Sequence, residues 1–119
     1  MQALAVKAYG EVRNRTADNK SLEYALFEQI NDGLREAVEA EKTDPSIWAD
    51  AINRNLELWT VLSSDLLNPE NQLPAALRKS LLEISVFVRR TSMQVLAGED
   101  HLADLIEINE SIMKGLRKL

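Results

Sequence analysis

The sequence predicts an all-α protein, a four- to five-helix up-and-down antiparallel bundle, and three observations carry that expectation. Apolar residues recur at helical spacing in five segments, and no run alternates with the two-residue period of a strand. Good helix formers dominate, with only four Gly and three Pro in 119 residues to interrupt them. The polar breaks between segments are short, which favours antiparallel neighbours. With 45% hydrophobic residues the chain can bury a real core, and its length suits one helical domain over residues 1–119.

The first segment, about 2–12, is short and marginal as an isolated helix. It is apolar on one side through Leu4, Ala5, Val6, Ala8, Tyr9 and Val12, and residues 13–20 follow as a polar linker. The bundle proper is expected over 21–118. Its first helix, about 21–42, places Leu22, Leu26, Ile30, Gly33, Leu34 and Ala37 on one stripe, widened by Phe27 and Val38. Glu28, Asp32, Arg35 and Glu39 fall opposite. Thr43-Asp44-Pro45 stops it, because proline cannot continue a helix and biases its predecessor away from helical geometry. Glu23 projects into the apolar arc and reads as a first-turn charge or as a partner for Arg13 or Arg15.

Asp44 as N-cap and Pro45 at the first position open the next helix, about 46–67. Trp48, Ile52, Asn55, Trp59, Leu62 and Leu66 share its main face. Ile47, Ala51 and Leu58 widen that face on one side, Leu56 and Leu67 on the other. An arc wider than half the wheel predicts a central helix, with Trp59 mostly buried and Asn55 a buried amide that fixes packing register. Asn68-Pro69-Glu70-Asn71-Gln72 is a turn.

The segment from Leu73-Pro74 to Ala97 has a core stripe of Leu77, Leu81, Ile84, Val88 and Val95, and Gly98 suits the position just past its end. Glu99 or Asp100 is expected to open the last helix. Its apolar face comprises Leu102, Leu105, Ile106, Ile112, Met113 and Leu116.

Composition narrows the function classes. Net charge is −5, which disfavours general binding to a phosphate backbone. There is no Cys, so disulfide and thiolate chemistry are out. No apolar run approaches the ~18 residues of a membrane span, and Lys7 breaks the opening segment as a secretory signal. A cytoplasmic protein without a membrane partner is the expectation. The single His, His101, stands beside Glu99 and Asp100 at a helix start and reads as a solvated residue, since a metal site needs further ligands at suitable spacing. No Gly-rich phosphate loop, HExxH or GxSxG pattern occurs. Neither enzymatic activity nor a cofactor or metal is expected.

The sharpest feature lies on the segment 73–97, which carries four basic residues and one acidic residue. Opposite its core stripe runs a second apolar strip, Leu82, Val86 and Met93, at i, i+4 and i+11. Arg78 and Arg89 flank it on one side, Lys79 and Arg90 on the other. A solvated helix face needs no such strip. Either another helix of the same chain covers it, or it is a groove wall for an amphipathic partner helix whose acidic residues the basic flanks select.

The ordered set Asn55, Leu58, Trp59, Thr60, Asp65, Asn71, Leu73, Pro74, Phe87, Val88 and Thr91 resembles the central pattern of the FlaF family of flagellar proteins. The tail LADLIEINESIMKGLRKL is similar to that family's Leu-Ile-x-Ile-Asn and Gly-Leu-Arg ending, and ALAVKAYGEV to its Ala-Tyr opening. The match runs essentially end to end and is loosest over 16–24, where an arginine is missing before Leu22-Glu23. Ala8, Tyr9, Val12, Thr16, Ala17 and Leu22 also resemble the opening of FliS, a helical flagellin export chaperone, with Val12 displaced from the expected spacing. These resemblances imply a FliS-like bundle acting in flagellin synthesis and type III secretion, with flagellin as partner and possibly the second regulator FlbT. They also imply that residues 2–12, Tyr9 included, pack reversibly over the partner groove. The other function they leave open is control of flagellin messenger RNA, directly or through FlbT; the net charge and the lack of an RNA-binding motif make nucleic acid an unlikely direct partner.

Overall fold

A computed structural model describes residues 19–41 and 43–117. It contains four helices: α1 (Asn19–Ala40), α2 (Pro45–Leu67), α3 (Ala75–Leu96) and α4 (Leu102–Arg117). Among the described residues there is no strand, and the molecule is an all-α bundle. The expected helix at 2–12, Tyr9 and the first part of the linker lie outside the described residues. Asn19 and Lys20, expected at the linker's end, already belong to α1.

Local chemistry sets the boundaries. Asp44 caps α2, its side chain accepting a hydrogen bond from Ile47 N at 3.3 Å, with Pro45 in the first turn. Replacing Asp44 by alanine should therefore cost about 1 kcal/mol of stability, read as a shifted urea midpoint at unchanged slope. In the next connection Asn71 donates to Asp65 O and to Asp65 Oδ2 (3.1 and 3.3 Å) while its Oδ1 accepts from Leu73 N (3.0 Å). That clamp ties the end of α2 to the start of α3. At the end of α3, Gly98 adopts φ 100°, Gly98 N bonds Val95 O at 2.9 Å, and Glu99 N bonds Gln94 O at 3.0 Å. This is a Schellman ending, for which glycine's left-handed freedom is needed. The last helix starts at Leu102, later than Glu99 or Asp100, because the Schellman turn uses Glu99 and so delays its nucleation.

Helix α1 packs broadly on α2 and α4, α2 also packs on α3, and α3 meets α4 over a smaller area. Phe27 contacts Trp59, and Asn31 and Asn55 share Asn109, so α1 and α2 run antiparallel. The short connection from Leu67 to Ala75 together with a Ser63–Ser85 hydroxyl contact places α3 antiparallel to α2. The core comprises Phe27, Leu34 and Ala37 from α1, Ala51, Ile52, Leu58 and Trp59 from α2, Val88 and Val95 from α3, and Leu102, Leu105 and Met113 from α4. Trp59 is 2% exposed and meets Phe27 edge-on at 5.9 Å, a favoured aromatic geometry.

A polar knot sits inside this apolar core. Asn31, Asn55 and Asn109, one from each of three helices, are fully buried. Asn109 accepts from Trp59 Nε1 at 3.0 Å and donates to both Asn55 Oδ1 (2.8 Å) and Asn31 Oδ1 (3.2 Å). Asn31 donates in turn to Ile106 O at 3.3 Å. Asn55 is the buried amide expected from sequence, although its own Nδ2 finds no partner, and Asn109 is the hub that joins the three helices. At the surface, Arg35 bridges Asp32 and Glu110 at 3.0 and 2.8 Å; the Glu110 hydrogen bond raises its pKa further above an already high value.

Several residues expected in the core are not there. Val38, Ile47, Leu67 and Leu77 are all exposed. Val38, Ile47 and Leu67 lie at the edges of over-wide apolar arcs, near helix ends where the neighbouring helix has turned away. Leu77 has the correct direction but no cover. Helix α4 is 16 residues against 22 for α3, so about 9 Å of α3 outreaches it. The buried residues of α3, Val88, Thr91, Ser92 and Val95, accordingly all lie in its second half.

Candidate functional site

Where α3 outruns α4 it rests mainly on the C-terminal end of α2, and the two helices leave an open groove of about 560 Å³. Leu66 and Leu67 of α2 form one wall; Ala75, Leu82 and Val86 of α3 form the other, with Arg78, Lys79 and Glu83 completing the lining. Leu66 is buried at the floor and Leu67 is 69% exposed at the rim. The antiparallel pairing and the Asp65–Asn71 clamp hold the two walls together. The sequence thus builds the site from a helix end, a tight asparagine turn and the first three turns of the next helix.

Four of the residues singled out from sequence meet in this groove: Arg78, Lys79, Leu82 and Val86. Val86 is 58% exposed and Leu82 half-buried, so no described helix of this chain covers the strip. Met93, also exposed, lies seven residues and about 10 Å further along the same face, outside the groove. Arg89 and Arg90 are exposed beside that outer stretch. Arg78 is half-buried, and its Nε is shut off from solvent without a hydrogen-bond partner. The second wall does not follow from the sequence: Leu66 falls on the core face and is buried there, while Leu67, at the edge of the same arc, is exposed. The width of the α2 arc was the available signal: a helix apolar over more than half its circumference has more apolar surface than its neighbours bury.

The chemistry available here is recognition. Five apolar side chains between two cations and one carboxylate suit an amphipathic helix laid in the groove. Elsewhere, His101 is half-exposed at the start of α4, 3.5 Å from Asp104 and 4.0 Å from Glu99. Among the described residues no three His, Asp or Glu side chains gather into a group that could hold a metal ion, and no helix is long and apolar enough to cross a membrane.

Comparison with known proteins adds one finding. The profile of the family described as flagellar protein FlaF matches residues 5–116. No curated protein and no solved structure matches the chain. The pattern residues Asn55, Trp59, Asp65 and Asn71 are those that tie the core knot and clamp the α2–α3 turn. With nearly its whole length matched, the chain belongs to the FlaF family of flagellar proteins.

Proposed function

We propose that this protein is a flagellar biosynthesis regulator that works as a flagellin-binding secretion chaperone. It takes an amphipathic terminal segment of flagellin into the α2–α3 groove and keeps it from assembling before export. The observation that carries this reading is the uncovered apolar wall of Leu82 and Val86, facing Leu66 and Leu67 across an open groove in a flagellar-family protein. Shielding the apolar face of an amphipathic helix needs an apolar groove and no catalytic group. Binding to flagellin is tested by pull-down with full-length and end-truncated flagellin. Retention of the full-length protein and loss of the truncated one is the expected result; equal retention of both, or of neither, overturns it.

The four basic residues of α3 favour a second reading, contact with flagellin messenger RNA directly or through FlbT. Salt separates the two. Binding to a phosphate backbone falls steeply as salt rises from 50 to 200 mM, whereas apolar groove binding changes little.

A further inference from the structure

We infer that Arg78 reads a carboxylate on the incoming helix, so that the groove's occupant is an apolar helical segment with an acidic side chain seated against this guanidinium. The inference rests on the groove reading above and gives it a chemical class.

Arg78 is the fourth residue of α3, close to the positive end of the helix dipole, where a cation is disfavoured. Lys79 follows it, and the first turn of α3 contains no acidic residue. Pro74, at the cap position, makes no side-chain cap hydrogen bond, so nothing there offsets the positive end. The helix dipole therefore gives no reason for two cations at this place.

The side chain is also incompletely satisfied. Arg78 Nε is buried and bonded to nothing, although buried polar atoms are normally paired. Glu83 shares the lining of the groove but makes no hydrogen bond to that nitrogen. Nε itself is closed to a partner, so a carboxylate arriving on a partner helix would meet the terminal nitrogens of the guanidinium, between apolar walls that exclude water and strengthen the pair. Lys79 is exposed and lacks the fork, so it attracts an acidic partner without fixing its register. Charge complementarity thus selects an acidic amphipathic helix over a basic or neutral one.

The test uses the full chain and full-length flagellin as probe. Wild type, Arg78→Gln, Arg78→Lys, Lys79→Gln and Val86→Asp are titrated and melted in parallel. Arg78→Gln should weaken binding roughly tenfold or more, as expected for truncating one partner of a desolvated pair. Its melting temperature should stay level or rise, because a cation leaves the positive helix end. Arg78→Lys should restore less than half of the lost binding free energy, and Lys79→Gln should stay within about threefold of wild type. Should Arg78→Gln lose helix content, Arg78→Met keeps the apolar stem and is read against the same two outcomes. Binding by the Arg78 variant within about twofold of wild type, with Val86→Asp failing to bind, overturns the carboxylate reading and leaves the groove standing. Normal binding by Val86→Asp as well removes the groove reading, and this inference with it.

Discussion

Replacing Asn109 by leucine should lower folding stability by about 4 kcal/mol, although the two side chains are close in size. The substitution removes the acceptor of Trp59 Nε1 and the donor to Asn31 Oδ1 and Asn55 Oδ1, leaving three buried polar atoms without partners. Each orphan costs about 1–3 kcal/mol, and the added apolar burial recovers only part of the sum. For a domain whose whole stability is about 5–15 kcal/mol, the variant sits near its folding threshold. A fall of roughly 15–25 °C in Tm is expected by calorimetry or circular dichroism. Trp59→Phe removes one member of the same network, so the double variant should cost about 1 kcal/mol less than the two singles added together. A loss below about 1 kcal/mol for Asn109→Leu would show that the knot does not hold the three helices in register.

Val86→Asp should do the opposite, sparing the fold and removing the partner. Val86 is 58% exposed in mid-helix, and valine and aspartate differ little in helix propensity, so stability should change by less than about 0.5 kcal/mol. In the complex the new carboxylate would be taken out of water against an apolar partner face, a cost that Arg89 and Arg90, exposed one turn further along α3, offset only in part. Flagellin affinity should fall by a few kcal/mol, roughly a hundredfold or more. Val88→Asp is the internal control: Val88 is fully buried two residues away, and a charge there should unfold the chain. A stable Val86→Asp protein that binds flagellin as wild type does would remove the groove from the account and leave the family membership untouched.

The helices were legible because their signals are local. Pro45, the Asn68–Gln72 turn and Gly98 punctuate the chain, and each marks a boundary within a few residues. Burial of Trp59 and Asn55 was legible because both sit amid an apolar face. The same signal was present at Asn31, between Phe27 and Leu34, and at Asn109, between Leu105 and Met113. Both are polar residues at helical spacing among core residues, and the network follows once all three asparagines are read together. Exposure of Leu77 and Leu67 was not legible, because periodicity gives the direction of a side chain and not the length of the neighbour that covers it. The groove had the same obscurity. One wall is the second strip of α3, which helical periodicity displays, whereas the other depends on the end of α2 pairing with the start of α3, which no single helix reveals.

The groove itself is tested most directly by photo-cross-linking. A benzophenone side chain placed at position 82 or 86, with flagellin added, reports what docks there; one at Arg54, an exposed site on the flank of α2, serves as control. Cross-links from 82 and 86 should map to a terminal helical segment of flagellin, be weakened by unlabelled wild-type protein and be absent from position 54. Cross-links from position 54 with none from 82 or 86 would contradict the groove reading.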